Sequence, residues 1–146
     1  MKLDTLKKVL DKYVEKAQIL GAEYASLLRL EEETMAQILT LKEYMQSINS
    51  NVQEANTKKI YGDQLKNRLN FSEKIENGIR QQQHKLVTLE RRKDAALREW
   101  NFALLDQRKM EKLIERKKDL AVSIEQRSEQ KISDEYGARS HFGERV

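Results

Sequence analysis

The sequence predicts an all-α protein folded as a long antiparallel two-helix coiled-coil hairpin. Apolar residues recur every seven residues, in alternating steps of three and four, through two long segments, which is the pattern of a coiled-coil seam. A short stretch of poor helix formers separates these segments. The chain contains no proline, and 36% of its residues are charged against 38% hydrophobic. One buried stripe per helix fits this composition better than a thick globular core.

The first helix is predicted over residues 2–55, where the seven-residue pattern continues without a break. Its two seam rows are Leu3, Leu10, Ala17, Tyr24, Glu31, Ile38, Met45 and Val52, and Leu6, Tyr13, Leu20, Leu27, Thr34, Leu41 and Ile48. Glu31 and Thr34 place polar side chains in one layer of this seam. Such a layer fixes the register of a coiled coil, and a binding notch is the alternative interpretation.

The chain is predicted to turn within residues 56–63 and to return as a second helix over residues 64–132. Short polar residues and Gly62 weaken the helix preference at the turn. The expected seam of the second helix is Leu65, Leu69, Ile75, Ile79, Leu86, Leu89, Ala96, Trp100, Ala103, Met110, Ile114 and Ile124, broadened by Leu97, Leu104, Leu113 and Leu120.

Folding the chain back near Lys59–Ile60 determines which residues of the two helices face each other. Leu3 pairs with a position near Arg116, so the second helix extends beyond the first. Residues 133–146 contain two glycines and no apolar period, and a flexible tail is expected there. The whole of residues 1–146 is expected to be a single domain.

The motifs argue against an enzyme. The two histidines, His84 and His141, are far apart in sequence, and there is no helical His/Glu cluster or glycine-rich phosphate loop. A two-helix coiled coil also offers no pocket of the usual size. No catalytic residue, metal or cofactor is therefore expected.

Charge and hydropathy favour a cytosolic protein that does not bind nucleic acid. The net charge of +4 is modest, and a solvated helical surface of mixed charge explains it better than a nucleic-acid footprint. Cysteine is absent, which fits a cytosolic setting. No apolar run approaches the ~20 residues of a membrane span, and the first residues lack the apolar core of a secretory signal.

Two stripes of matching spacing flank the predicted turn. Each stripe has members at i, i+4, i+7 and i+11, which lie on one face of a helix. They are Gln37, Leu41, Tyr44 and Ile48 before the turn, and Phe71, Ile75, Gly78 and Gln82 after it. We call these residues the turn-proximal patch. Folding the chain back brings Ile48 near Phe71 and Gln37 near Gln82. A partner surface and ordinary packing beside the seam both fit this placement.

Basic residues gather where the two termini are expected to meet. Lysines and arginines outnumber glutamates in the segment from Arg108 to Lys118. The lysines of the first helix that are expected across from this segment, or near it, are Lys7, Lys8, Lys12 and Lys16. A partner with an acidic cavity fits this clustering, and so does a solvated face with ion pairs four residues apart.

Several short motifs follow one another in a characteristic order. They are Leu41-Lys-Glu-Tyr44-Met-Gln-Ser-Ile48, Asn70-Phe71 with Ile75, Ile79 and Gln82, Asp94-Ala-Ala-Leu97-Arg-Glu-Trp100, and Met110-Glu-Lys-Leu-Ile-Glu-Arg-Lys117 with Gln130-Lys and Asp134-Glu135. With the turn length and the overhanging second helix, this order resembles the FliJ family over most of the chain. That family is the small coiled-coil component of the flagellar type III export apparatus.

The resemblance implies a non-enzymatic stalk, similar to the central stalk of rotary ATPases. The end that carries both termini would enter the pore of the hexameric export ATPase, FliI. Another surface would bind the cytoplasmic linker of the membrane gate protein, FlhA, and export chaperones are further partners. The resemblance implies no cofactor. It places the protein in the cytoplasm, peripheral to the cell membrane at the flagellar base through its partners.

The resemblance also assigns residues to the gate contact, and the charge clustering supplies those for the ATPase contact. The gate-binding residues correspond to the turn-proximal patch, with Ile48 where the family can have an aromatic residue and Gln82 where it can have histidine. The basic cluster at the paired termini, taken with the stalk resemblance, indicates the residues of the ATPase end. We call them the basic set: Lys7, Lys8, Lys12, Arg108, Lys109, Lys112, Arg116 and Lys117.

Other classes of protein share parts of this pattern. A YscO-like stalk of a virulence secretion system is the nearest alternative in structure. A generic coiled-coil adaptor, or a basic helical protein that binds nucleic acid or a membrane surface, is the alternative in function. Binding to nucleic acid would weaken steeply with salt, whereas a stalk would bind a ring protein and leave DNA alone.

Overall fold

A computed structural model of the protein describes residues 2–58 and 62–144, with the side chains at 52, 54–58 and 141–144 excepted. Two helices make up this part of the chain, α1 (Leu3–Lys58) and α2 (Gly62–Glu144). They pack against each other in antiparallel directions, which confirms the predicted all-α hairpin. The predicted bend at Lys59–Ile60 and the seam placement of the Val52 side chain lie outside the described residues.

Contacts between the helices near the turn follow the predicted pairing. Arg68 Nη1 donates a hydrogen bond to the main-chain carbonyl of Asn51 at 3.2 Å. The hydroxyl of Ser72 lies 3.1 Å from the sulfur of Met45. In each pair, the midpoint between the two residue numbers lies within about one residue of the predicted bend at Lys59–Ile60. The register of this part of the hairpin is therefore the predicted one.

The chain packs as two compact units that share the two helices. The terminal unit combines α1 up to Gln18 with α2 from Asn101 onward, and the turn-side unit spans Ile19–Trp100. The turn-proximal patch belongs to the turn-side unit, and the basic set belongs to the terminal unit.

The seam of α1 agrees with the predicted rows. Leu6, Ala17, Thr34 and Ile38 are buried, and every other described member of the two rows is half-buried. The strict alternation of three and four residues accounts for this, because it keeps one stripe of α1 against its partner along the helix.

The seam of α2 contains polar residues that the prediction left out. Its buried and half-buried heptad positions are Leu65, Arg68, Ser72, Ile75, Ile79, Gln82, Leu86, Leu89, Lys93, Ala96, Trp100, Ala103, Gln107, Met110, Ile114 and Lys117. Leu69, which was predicted in the seam, is 52% exposed. The seam of α1 keeps a strict seven-residue repeat, so α2 must match that repeat even where its residues are polar.

Several predicted apolar members of the second seam lie at its edge or beyond it. Leu104, Leu113 and Leu120 are exposed, and Ile124 is 59% exposed, so its predicted seam position is wrong. These positions are either off the heptad rows or past the stretch of α2 that has α1 opposite it.

The last part of α2 is helical without cover from α1. Between 118 and 140 every described side chain is exposed except Ser123, which is half-buried. Residues 133–144 continue the helix, which differs from the flexible tail predicted for 133–146. Only Glu135, Ala138, Arg139 and Glu144 are strong helix formers among these residues, and Gly137 costs about 1 kcal/mol relative to alanine, so intrinsic propensity alone does not account for this helix.

A polar layer crosses the seam of the turn-side unit. Lys93 Nζ lies 2.9 Å from Glu31 Oε2 and donates to Glu31 Oε1 at 3.3 Å. This hydrogen bond raises the pKa of Lys93 above its ordinary value of 10.5. Thr34 is 1% exposed and donates to the carbonyl of Leu30 at 2.7 Å. Lys93 pairs with Glu31 across the seam and Thr34 bonds within α1, while Glu31 Oε2 has the ion pair but no hydrogen bond. Because the charges are paired within the hairpin, the layer favours the register-fixing interpretation over a binding notch.

One aromatic contact depends on a glycine. Trp100 packs beside Tyr24 with ring centroids 5.7 Å apart. A Cβ atom at Gly21 would lie 3.0 Å from Trp100 Cε2 and Nε1. Gly21 therefore gives the indole room to lie against α1, a role that the helical pattern did not indicate.

Candidate interaction surfaces

The turn-proximal patch lies along one edge of the turn-side unit. Its seam members are Leu41, Ile48, Ile75 and Gln82, which are buried or half-buried. Its flank members are Gln37, Tyr44, Phe71 and Gly78, each three or four positions from seam members on its own helix. Residues at that spacing share a helix face, and in antiparallel helices the two corresponding flanks meet on the same side of the seam. The patch therefore forms one continuous edge.

Two exposed aromatic residues dominate this edge. Tyr44 is 58% exposed and Phe71 is 57% exposed, although both lie next to buried or half-buried seam residues. Ile75, four positions after Phe71, is only 7% exposed. The aromatic rings are thus held from one side by the seam and open to solvent on the other.

Gly78 leaves a small gap in the same edge. A Cβ atom built at this residue would lie 3.8 Å from Leu41 Cδ1, an ordinary contact distance. The packing would therefore accept alanine, and it does not itself require glycine here.

Gln82 carries an unsatisfied acceptor within the patch. Its Oε1 atom is buried and has no hydrogen-bond partner among the described residues. Burying an amide oxygen without a donor is unfavourable by about 1–3 kcal/mol. A donor supplied by a bound molecule or water would remove that penalty.

The basic set does not form a single patch. Lys8 lies two positions after the buried Leu6, and Lys112 lies two positions before the buried Ile114. Two positions correspond to a rotation of about 200° on a helix, so each lysine points away from the seam on its own helix. The two lie on opposite outer faces of the terminal unit, whereas the sequence predicts the lysines of α1 across from or near the basic segment of α2.

Members of the basic set also differ in exposure. Lys117 occupies a half-buried seam position and already takes part in an interaction within the molecule. The other members are exposed; they are Lys7, Lys8, Lys12, Arg108, Lys109, Lys112 and Arg116. Only the exposed members are available to a partner without rearrangement of the seam.

The described residues lack two further features, a cluster of metal ligands and a membrane-spanning helix. Among them, no three His, Cys, Asp or Glu side chains cluster closely enough to hold a metal ion. Within the same residues, neither helix contains a stretch apolar enough to cross a bilayer. His84 is exposed on α2, and the side chain of His141 lies outside the description.

These features define a class of protein, an antiparallel coiled-coil hairpin. Its candidate contact residues, the turn-proximal patch and the exposed members of the basic set, lie beside the seam or on the outer faces of the helices. The family model described as flagellar FliJ protein matches residues 1–145, and the chain belongs to this family. The protein is therefore associated with flagellar export, and its family is a non-catalytic export component. Comparisons with curated proteins and with solved structures gave no match.

Proposed function

We propose that this protein is a stalk that couples the hexameric export ATPase to the membrane export gate in flagellar type III export. The observation that carries the proposal is the match of the FliJ family to residues 1–145. The hairpin supports it with two separated sets of side chains. The turn-proximal patch lies in one compact unit and the basic set lies in the other.

The turn-proximal patch is the proposed contact with the cytoplasmic linker of the gate protein. Exposed aromatic residues supported by a packed edge are typical anchors of protein interfaces. Phe71 and Tyr44 have this arrangement, with Ile75 and Leu41 behind them. Gln82 lies in the seam beside this edge, and its buried oxygen becomes available to a donor of the linker when the side chain turns outward.

The basic set is the proposed contact with the ATPase ring. Its exposed cations lie on both outer faces of the terminal unit, so a flat partner could reach only some of them. A pore encloses the helices that enter it and could contact both faces together. Complementary acidic groups around such a pore would steer and orient the stalk.

The proposal has two further parts. The protein assists export chaperones, and it is located in the cytoplasm at the inner face of the cell membrane. Family membership supports both, and no particular side chain has been assigned to chaperones.

The test combines the purified protein with the export ATPase and, separately, with the gate linker. Stimulated ATP hydrolysis and saturable binding to the linker are expected, together with no retention on DNA at moderate salt. Failure to affect the ATPase and failure to bind the linker would contradict the proposal. DNA binding that falls steeply with salt would instead identify a nucleic-acid-binding protein.

A further inference from the structure

The terminal unit exposes apolar side chains on the face of α2 that points away from the seam. Phe102 is 66% exposed and Leu105 is 49% exposed. Leu105 lies two positions after the buried Ala103, about 200° around the helix. Packing against α1 therefore does not explain this leucine, and a long helix would be more soluble with a polar residue in its place.

An open groove of about 340 Å³ lies on this face. It is lined by Asn101, Leu104, Leu105 and Arg108. The spacing of these residues is i, i+3, i+4 and i+7, which is the set of four residues that forms a hole for a side chain of a facing helix in a coiled coil. The two leucines supply apolar walls, and the amide and the guanidinium supply polar ends. The groove thus has the form of an unfilled coiled-coil hole.

Cations continue the same face towards the end of α2. The next set at coiled-coil spacing is Leu105, Arg108, Lys109 and Lys112, all of them exposed. The nearby carboxylates of Asp106 and Glu111 lie towards the sides of this face, and Glu111 accepts a hydrogen bond from Gln107 at 3.0 Å. A helix seated in the groove would therefore meet positive charge one turn further along.

We propose that this outer face docks a third helix from a partner protein, an acidic amphipathic helix. An apolar side chain of that helix fills the groove between Asn101 and Arg108, and its carboxylates face Arg108, Lys109 and Lys112. The face shares its cations with the basic set, but the inference goes beyond the proposed function, because Leu104 and Leu105 belong to neither surface assigned there. The helical spacing of the groove favours a helix over a lipid bilayer, which would need cations and apolar groups but no hole.

The probe is a synthetic helix of about 28 residues with leucine along one stripe and glutamate beside it, long enough to be helical in water. Binding to the full chain is measured by fluorescence anisotropy of the labelled peptide. Two control peptides replace every glutamate by lysine, or every leucine by alanine. The acidic leucine peptide is expected to bind at least about tenfold more tightly than either control.

Two variants of the protein test whether the acidic peptide binds in the groove. Leu105→Arg fills the groove with a charged side chain at an exposed position and is expected to weaken binding at least about tenfold. Leu39→Arg is the matched control, because Leu39 is 60% exposed on α1 in the other unit, and it should bind as wild type does. Circular dichroism checks that both variants keep their helicity.

A charge exchange tests the orientation of the charges. Lys109→Glu with Lys112→Glu should weaken binding of the acidic peptide about tenfold and should create binding of the lysine peptide. This gain could not come from damage to the fold.

Several results would overturn the proposal. The acidic peptide could fail to bind, or could bind Leu105→Arg as well as wild type. Phosphatidylglycerol vesicles could sediment with wild type but not with Leu105→Arg, which would make the face a membrane surface. Sedimentation velocity could show a dimer that Leu105→Arg dissociates, which would make a second copy of this chain the occupant.

Discussion

Phe71 and Phe102 are phenylalanines of similar exposure in different surroundings. Phe71 belongs to the turn-proximal patch, and Phe102 lies on the outer face of α2 in the other unit. Phe71→Ala is expected to weaken binding to the gate linker by about 2 kcal/mol, or roughly thirtyfold. Since the ring is 57% exposed, its loss should lower the free energy of unfolding by about 1 kcal/mol or less. Linker titration and thermal unfolding followed by circular dichroism measure the two effects.

Phe102→Ala serves as the control for that measurement, since it removes an equally exposed ring outside the patch. It should leave linker binding unchanged. If Phe71→Ala instead lowered the melting temperature strongly, with a proportionate loss of binding, the ring would be a packing residue and not an anchor.

The glycines at positions 21 and 78 differ in what surrounds them. Gly78→Ala should raise the free energy of unfolding by about 1 kcal/mol, because alanine favours helix and the new Cβ meets Leu41 at an ordinary distance. Gly21→Ala places its Cβ 3.0 Å from the indole of Trp100, so crowding should offset that gain. Chemical denaturation of the two variants should differ by at least about 1 kcal/mol. Equal gains would show that Trp100 moves aside freely.

At the scale of the helices, the sequence predicts α1 better than α2. The rows of α1 from Leu3 to Ile48 are nearly all apolar, so their period is visible directly. In α2, polar residues such as Arg68, Lys93 and Gln107 occupy seam positions while leucines lie on the flank. Only the register against α1 identifies those polar residues as seam members, and that register depends on contacts between distant parts of the chain.

The exposed end of α2 was missed for a different reason. Two glycines and a fading apolar period suggested a tail beyond residue 132. No proline interrupts the helix there, and the apolar period reports only whether a helix has a partner.

The ion pair between the helices predicts a dependence of stability on pH. The folded pKa of Lys93 lies above its ordinary value of 10.5 because of the hydrogen bond to Glu31. A raised folded pKa stabilises the protein below the unfolded pKa, and this contribution is lost as the pH rises through the folded pKa. Thermal unfolding of wild type should therefore lose stability above about pH 10.5 more steeply than that of Lys93→Met.

The double variant Glu31→Leu with Lys93→Met tests how much the same ion pair contributes to stability. Apolar replacement of both partners should restore much of the melting temperature lost in Lys93→Met. Parallel curves for wild type and Lys93→Met through the alkaline range would show that the pair contributes nothing in solution.

At the scale of the whole molecule, the two proposed surfaces differ in how their members are arranged. The resemblance assigned the turn-proximal patch, and its members do lie together along one edge. The basic set was expected near one end of the chain, and it does belong to one unit, but on opposite faces. Sequence position alone could not show this, because the direction of each lysine depends on where the seam lies on its helix.

The exposure of the basic set predicts the effect of reversing three of its charges together. Arg108→Glu, Lys112→Glu and Arg116→Glu combined should reduce stimulation of the export ATPase severalfold, since exposed charge pairs are each worth about 0.2–1 kcal/mol. Steady-state ATP hydrolysis is the measurement, and helicity should remain that of wild type. The control reverses Lys66, Lys74 and Arg91, which are exposed in the other unit, with the same change in net charge. Equal activity in the two triple variants would contradict a specific contact at the basic set.

Because Trp100 packs against α1 at Gly21, its fluorescence reports whether the two helices are in contact at this point. The chain has a single tryptophan, and its indole lies between the helices with Tyr24 beside it. If α1 and α2 separate or slide at this point, the indole loses Tyr24 and gains water, and its emission should shift to longer wavelength. With a partner preparation that contains no tryptophan, Trp100 fluorescence would then follow the separation of the helices during ATP turnover, without any attached dye.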